Sequence, residues 1–151
     1  MITNSNKAYV EAQMLIRKPV EDVFEAFINP EVTTNFWFTK STGKLEEGKT
    51  ITWEWEMYGV KSDVKVNQII PNQLIQTEWG SPSTHVDYEF KKMEKGTLVV
   101  IKSYGFSQTG EDLAKIINDN TGGFTTVLDG CKAYLEHGIK LNLIEDKFPQ
   151  K

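Results

Sequence analysis

Few side chains in this sequence could act as a catalytic nucleophile or as its base. Cys131 supplies the one thiol, and His85 and His137 are the two histidines. Nucleophilic catalysis needs a base within hydrogen-bonding reach of the nucleophile. Cys131, however, falls on the apolar stripe of a predicted helix, where burial raises the pKa of a thiol and leaves it inert. His85 fits the solvent face of a predicted strand, and His137 fits a last helical turn, where a cation complements the helix dipole. We therefore predict no catalytic residue.

Two glutamates in the stretch TWEWEMYG, residues 52–59, are the candidates for general acid and base chemistry. Such chemistry requires at least one buried carboxylate with a raised pKa. A period of two places Glu54 and Glu56 together on one face of a strand and the tryptophans on the other. Lys61 and Lys65 on the next predicted strand would pair with these glutamates across an exposed face. We therefore interpret the two carboxylates as part of a solvated sheet face.

Motifs for metals, phosphates and nucleic acids are missing from the sequence. Gly122 and Gly123 lack the surrounding pattern of a phosphate-binding loop, and no CxxC, HExxH or acidic calcium loop occurs. The net charge is −4. The aromatic residues of positions 52–58 alternate with glutamate, whereas base stacking needs them beside lysine or arginine. We expect no metal site, no cofactor and no nucleic-acid partner.

Length and composition are typical of one cytoplasmic domain. The chain has 151 residues, of which 39% are hydrophobic and 25% charged, so we expect one domain over residues 1–151. No window approaches the ~20 apolar residues of a membrane span, and the N-terminal residues lack the basic and apolar regions of a signal peptide. With a single cysteine, the sequence favours the cytoplasm and predicts no membrane insertion.

The elements that must position these residues begin with a strand and two short helices. Residues 9–16 alternate loosely and stop before Pro19, which suits the start of a helix with apolar residues at helical spacing through Ile28. Pro30 opens a second short helix that ends in Phe36, Trp37 and Phe38. From residue 43 to residue 106 the sequence reads as antiparallel strands joined by tight turns, because the gaps are too short for parallel crossovers.

A long apolar helix face closes the chain. Residues 113–117 predict a short helix, and the run NDNTGG, residues 118–123, predicts an interruption. The main helix then carries apolar residues at helical spacing from Phe124 to Leu135, with Gly138 as its C-cap. A sheet with one apolar face needs a cover, and only this helix is long enough to supply it. The predicted fold class is α+β, with a curved antiparallel sheet wrapped around the C-terminal helix and two short helices between the first two strands.

The period of two also predicts which side chains face that helix. The last strand is apolar on both faces, so its phase is left open. Members of this predicted inner face are mostly aromatic or β-branched, which fits either a small-molecule pocket or a filled core. The set is Ile51, Trp53, Trp55, Met57, Val64, Val66, Ile75, Thr77, Trp79, Val86, Tyr88, Phe90, Val99, Ile101 and Ser103.

The chain resembles, in four segments, the START-like (SRPBCC) helix-grip superfamily. Within it, the chain is most similar to homologues of the activator of the 90-kDa heat-shock-protein ATPase. The segments are RKPVEDVFEAFINPEVTTNFWF (residues 17–38), KGTLVVIKSYGF (95–106), TGGFTTVLDGCKAYLEHG (121–138) and LNLIEDKFP (141–149). Phe124 stands where many members have tryptophan. The superfamily hosts lipid carriers, receptors, enzymes and cochaperones on one scaffold, so the resemblance carries the fold further than the function.

The resemblance implies a cavity between the sheet and the last helix, with Phe36, Trp37 and Phe124 at its mouth. A lipophilic small molecule is the expected partner. A cochaperone-like regulator of a chaperone ATPase and a cyclase- or hydrolase-type enzyme are the alternatives. The eleven ligand-binding candidates are Phe36, Trp37, Trp53, Trp55, Trp79, Tyr88, Ile101, Phe124, Val127, Leu128 and Cys131.

Overall fold

A seven-stranded antiparallel sheet forms most of the protein in the computed structural model, which describes residues 7–80 and 82–149. The spatial order of the strands is β1-β7-β6-β5-β4-β3-β2, so β1 and β2 are the edges. Consecutive strands from β2 to β7 are neighbours, as a meander requires. The strands are β1 (Tyr9–Ile16), β2 (Lys40–Ser41), β3 (Thr50–Trp55), β4 (Val60–Ile70), β5 (Leu74–Trp79), β6 (Thr84–Met93) and β7 (Gly96–Tyr104).

Four α-helices accompany the sheet in residues 7–80 and 82–149, and the predicted fold class is confirmed. The two short helices lie between the first two strands, and a long helix follows the last strand. This helix packs against β1, where the Lys132 ammonium donates to the Leu15 carbonyl at 2.8 Å. The helices are α1 (Val20–Ile28), α2 (Pro30–Thr33), α3 (Gly110–His137) and α4 (Leu143–Lys147).

Local chemistry fixes the short helices and the chain that leaves them. The Asn29 side chain accepts a hydrogen bond from the Glu31 N–H at 3.1 Å and caps α2, while Pro30 occupies the first helical position. Thr33 is buried, and its hydroxyl donates to the Ala26 carbonyl at 2.5 Å. This bond ties α2 back to α1, so the three aromatic residues that follow α2 enter the interior at a defined place.

The predicted interruption of the C-terminal helix at residues 118–123 is wrong. Helix α3 is continuous over 28 residues and ends before Gly138, which caps it with a φ of 67° as predicted. Within the predicted interruption, the Thr121 hydroxyl donates to the Ile117 carbonyl at 2.7 Å. Glycine and asparagine disfavour helix by about 1 kcal/mol or less each, an amount that packing of the helix on β1 outweighs.

The strand that begins at Thr50 is shorter than predicted. It ends at Trp55, and residues 56–58 form one turn of 3₁₀ helix before Gly59. Met57 therefore does not lie on the inner face of the strand, which corrects that member of the predicted set. The exposed pairing is confirmed for Glu54 and Lys61, whose charged atoms are 3.6 Å apart. Lys65 pairs instead with Thr50 in the register, so Glu56 has no lysine opposite it there.

Candidate functional site

Trp53 lies at the centre of an aromatic cluster on the inner face of the sheet. It is 1% exposed, and its indole stacks on the ring of Phe38 at 4.4 Å with planes 16° apart. Trp37 meets it at 4.9 Å. The predicted orientation of Trp53 is therefore confirmed. Phe38, the ring stacked on it, was not among the predicted site residues, although its place beside Phe36 and Trp37 was a signal for it.

The aromatic cluster continues toward the end of the sheet through two further tryptophans. Trp55 and Trp79 stack with their ring centroids 6.3 Å apart and their planes 19° apart. Both are only partly buried, in contrast to Trp53. Strand β3 stops at Trp55 and strand β5 at Trp79, so these two rings lie where the inner face meets solvent.

Helix α3 also contributes to the aromatic cluster. The Phe124 ring meets Trp37 at 6.3 Å and Trp79 at 6.4 Å, both edge to face. Cys131 is fully buried, and burial raises the pKa of its thiol, so it is un-ionised at neutral pH as predicted. All eleven predicted residues belong to the core or pack against it. The remaining members, all buried, are Ile101, Val127 and Leu128.

Tyr88 brings a polar group into this apolar interior. It is 1% exposed and lies 6.1 Å from Trp37, ring to ring. Among the described residues its hydroxyl has no hydrogen-bond partner, and the same is true of the buried Trp79 indole N–H. Burial raises the pKa of Tyr88; the Thr77 hydroxyl and the Trp79 indole act in the opposite direction but do not offset it. Tyr88 is thus an un-ionised hydroxyl at neutral pH.

A cleft of about 180 Å³ opens beside this cluster. Phe36 and Trp37 line one side of it. Met57, which the sequence wrongly placed on the inner face, lines it too. Residues 140–145, which precede and begin α4, form the opposite side. The resemblance pointed to residues 141–149, but no periodicity in them predicted a wall of a cleft.

Hydrogen bonds hold this C-terminal wall in place. The Tyr58 hydroxyl, just before Gly59, bonds to the Ile144 carbonyl and lies 3.2 Å from the Glu145 carbonyl. The Lys147 ammonium donates to the Thr126 hydroxyl at 2.9 Å, which joins α4 to α3. The cleft is therefore bounded by three segments that are far apart in sequence.

Gly130 allows α3 to approach the segment that carries Phe36 and Trp37. A Cβ atom at this position would lie 3.2 Å from the Phe36 Cβ and 3.4 Å from the Phe36 carbonyl oxygen. Contacts that short leave little room for any larger side chain without a shift of Phe36. The close packing of α3 on this segment thus depends on a residue without a side chain.

The outer face of the sheet carries a second, more open cleft of about 450 Å³. Its walls include Tyr9, Tyr104 and Lys102. On this face the Tyr104 hydroxyl lies 3.1 Å from the Asp87 carboxylate and its ring stacks on His85 at 5.1 Å. Burial raises the pKa of Asp87, and the hydrogen bond from Tyr104 offsets this only in part.

Neither a metal cluster nor a membrane span is found in the part of the chain that the structure describes. Over residues 7–80 and 82–149, no group of three or more His, Cys, Asp and Glu side chains is placed to hold a metal ion. No helix in the same residues has the length and apolar character needed to cross a bilayer.

Comparison with known proteins places the chain among structures of one fold. The family model described as Activator of Hsp90 ATPase homolog 1-like protein matches residues 17–136. The crystal structure of protein SSP2350 from Staphylococcus saprophyticus is 31% identical, covers 89% of this chain and 96% of its own, and superposes with a TM-score of 0.80. No curated protein matches the sequence.

Two more distant structures show the fold alone. The Aha1 dimer from Colwellia psychrerythraea is 19% identical, with coverage of 87% of this chain and 98% of that one and a TM-score of 0.73. DynU16, from the dynemicin biosynthetic locus, is 16% identical with a TM-score of 0.79. The match covers 89% of this chain but 49% of DynU16.

Proposed function

The chain belongs to the family of Activator of Hsp90 ATPase homolog 1-like proteins, and we propose that it binds a lipophilic small molecule within the aromatic cluster between the sheet and α3. The fold of this family commonly holds hydrophobic ligands. In this protein the ligand would lie between the sheet and α3, and the eleven predicted residues would form the wall of its binding site.

The position of Trp37 is the observation that carries the proposal. Trp37 lines the 180 Å³ cleft and also contacts Trp53, Trp79 and Phe124 at ring distances of 4.9–6.3 Å. It is therefore the partition between the cleft and the interior. The cleft alone is smaller than the roughly 300–1,000 Å³ of most ligand pockets. A rotation of Trp37 would open the cleft toward the aromatic cluster and enlarge it by the volume that the Trp37 side chain now fills.

The chemistry of the interior favours binding over catalysis. Tyr88 and Cys131 are two buried groups that could act on a ligand in ionised form, and burial raises the pKa of both. Neither is therefore available as a nucleophile at neutral pH, because the ionised forms are the reactive ones. An enzyme of cyclase or hydrolase type would have to use Tyr88 as a neutral hydrogen-bond donor.

A cochaperone role is the second candidate, and the description of the family favours it. Addition of the protein to a heat-shock-protein ATPase of the 90-kDa class, with hydrolysis as the readout, tests this role. A rise in the hydrolysis rate supports it, and an unchanged rate with no association in a pull-down removes it.

Titration of intrinsic tryptophan fluorescence tests the binding proposal. Lipids, flavonoids and polyketides are added to the protein, and we expect a saturable change at one molecule per chain because four tryptophans lie in or beside the site. Trp37→Ala removes the partition and should speed ligand entry. Tyr9→Ala, on the outer cleft, is the matched control and should leave entry unchanged. The proposal is wrong if no compound gives a saturable signal or a thermal shift.

A further inference from the structure

Two hydrogen-bond donors in the aromatic cluster are buried without a partner among the described residues: the Tyr88 hydroxyl and the Trp79 indole N–H. Buried donors are nearly always paired in folded proteins. The same interior pairs its threonines, since the Thr77 hydroxyl donates to the Val86 carbonyl at 3.0 Å and the Thr97 hydroxyl to the Lys18 carbonyl at 2.9 Å. The unpaired Tyr88 hydroxyl and Trp79 N–H are therefore exceptions within this interior.

The two donors lie close to each other. The rings of Trp79 and Tyr88 lie 6.2 Å and 6.1 Å from the ring of Trp37. The Thr77 hydroxyl and the Trp79 indole are both near enough to Tyr88 to lower its pKa, but neither contact has the distance and angle of a hydrogen bond. Burial dominates and raises the pKa of Tyr88, so the hydroxyl keeps its proton and can donate. One oxygen atom placed between the two groups could accept from both.

The surroundings select a neutral acceptor. Besides Tyr88 and the Trp79 indole N–H, the buried polar side chains in the described part of the chain are those of Thr33, Thr77, Thr97 and Ser103, and none of them is charged. A carboxylate or phosphate at this depth would lack a counter-ion, and an unpaired buried charge is strongly unfavourable. A carbonyl oxygen carries no such penalty.

We infer that the ligand is a neutral lipophile with a carbonyl or similar oxygen acceptor, and that this oxygen accepts hydrogen bonds from the Tyr88 hydroxyl and the Trp79 indole N–H. The inference rests on the proposed function and adds the chemical class of the ligand. A pure hydrocarbon of the same shape would leave both donors unpaired. The apolar body of the ligand would lie against Trp37, Trp53 and Phe124.

Benzophenone and diphenylmethane form a matched pair of probes, because they differ in one carbonyl group. Their affinities for the full chain are measured by calorimetry with wild type, Tyr88→Phe, Trp79→Phe and Tyr104→Phe. We expect wild type to bind benzophenone about tenfold more tightly, the size of effect that a satisfied buried hydrogen bond provides. Tyr88→Phe should remove most of that preference, so that the ratio of the two affinities falls toward one. Trp79→Phe should reduce the ratio of the benzophenone affinity to the diphenylmethane affinity, even if it changes both affinities. Tyr104→Phe, on the outer face, should retain the preference.

Each outcome decides a different statement. Equal affinity of wild type for both probes overturns the inference while the proposed function stands. If neither probe and no lipid, flavonoid or polyketide binds saturably, both the proposed function and the inference are wrong. The thermal stability of the empty Tyr88→Phe variant is a second measurement. A melting temperature at or above that of wild type supports an unpaired hydroxyl, and a clear drop shows that the hydroxyl is already paired and overturns the inference.

Discussion

Tyr88 and Tyr104 lie on opposite faces of the same sheet, and their hydroxyls have different surroundings. Tyr104 reaches the Asp87 carboxylate at 3.1 Å and is partly exposed. Tyr88, the residue next to Asp87 in sequence, is almost fully buried and has no partner among the described residues. On the outer face cross-strand neighbours satisfy the polar groups, whereas on the inner face a polar group is left for something else to satisfy.

The same difference separates the stabilising forces of the two faces. The inner face is held by rings in contact, such as Trp53 stacked on Phe38. The outer face is held by charge pairs, such as Lys102 with Glu89 at 3.5 Å. Ring burial contributes several kilocalories per mole for each residue, whereas exposed ion pairs contribute roughly 0–1 kcal/mol. Mutations on the inner face should therefore have larger effects than mutations on the outer face.

The largest expected effect is the loss of a central inner ring. Trp53→Ala should lower the free energy of unfolding by about 3–5 kcal/mol, because it empties a fully buried site. Tyr104→Ala, the matched aromatic truncation on the outer face, should cost about 1–2 kcal/mol. Urea unfolding at neutral pH measures both. Equal losses would contradict the assignment of the two faces.

Removal of single hydroxyls from the inner face should give a smaller effect that depends on pairing. Thr77→Val deletes a donor that is bonded to the Val86 carbonyl, so we expect a loss of about 1 kcal/mol in urea unfolding. Tyr88→Phe deletes an unpaired donor and should leave the stability unchanged or slightly higher. If Tyr88→Phe lowers the free energy of unfolding as much as Thr77→Val does, the Tyr88 hydroxyl is hydrogen-bonded like that of Thr77, and the prediction is wrong.

Two carboxylates should respond to pH in opposite directions. Burial raises the pKa of Asp87 in the folded state, so between its ordinary value and the raised one the folded state binds more protons. The stability of wild type relative to Asp87→Asn should therefore fall as pH rises through that window.

Glu136 should show the reverse behaviour. Burial acts to raise its pKa, but hydrogen bonds from Lys132 and the Arg17 N–H outweigh it and the pKa is lowered. Above the ordinary pKa of glutamate, the Glu136 carboxylate contributes to the stability of the fold. This contribution is lost as pH falls through the lowered pKa, and a comparison of wild type with Glu136→Gln would measure the loss. NMR titration of both carboxyl groups measures the two directions, and shifts of the same sign would contradict this prediction. Each stability change should stay below about 1 kcal/mol, since both groups are partly solvated.

The smallest effect is expected for an outer charge. Lys102→Gln removes contacts to Glu11 at 3.8 Å and Glu89 at 3.5 Å. We expect a loss of about 0.5 kcal/mol or less at low salt, and none at high salt, because salt screens exposed pairs. Urea unfolding at the two salt concentrations measures it. A loss that persists at high salt would mean that the outer face is held by more than charge.

The sequence by itself determined the face on which each strand residue lies. Side chains alternate across a strand, so the pattern in β3 and β6 was enough to place Trp53 and Tyr88 inside and Glu54 and Asp87 outside. The apolar spacing of the last helix was enough to place Phe124, Val127, Leu128 and Cys131 on one stripe, because that spacing matches the helical repeat.

Only the tertiary structure decided which groups meet and which remain unpaired. The continuity of α3 through residues 118–123 follows from its packing on β1, which overrides weak local preferences. One wall of the cleft includes Ile144, whose carbonyl accepts a hydrogen bond from Tyr58, a residue 86 positions away. Whether the Tyr88 hydroxyl finds a partner likewise depends on strand register and on distances of about 3 Å. Periodicity determines the face on which a side chain lies, but not which groups the side chain contacts.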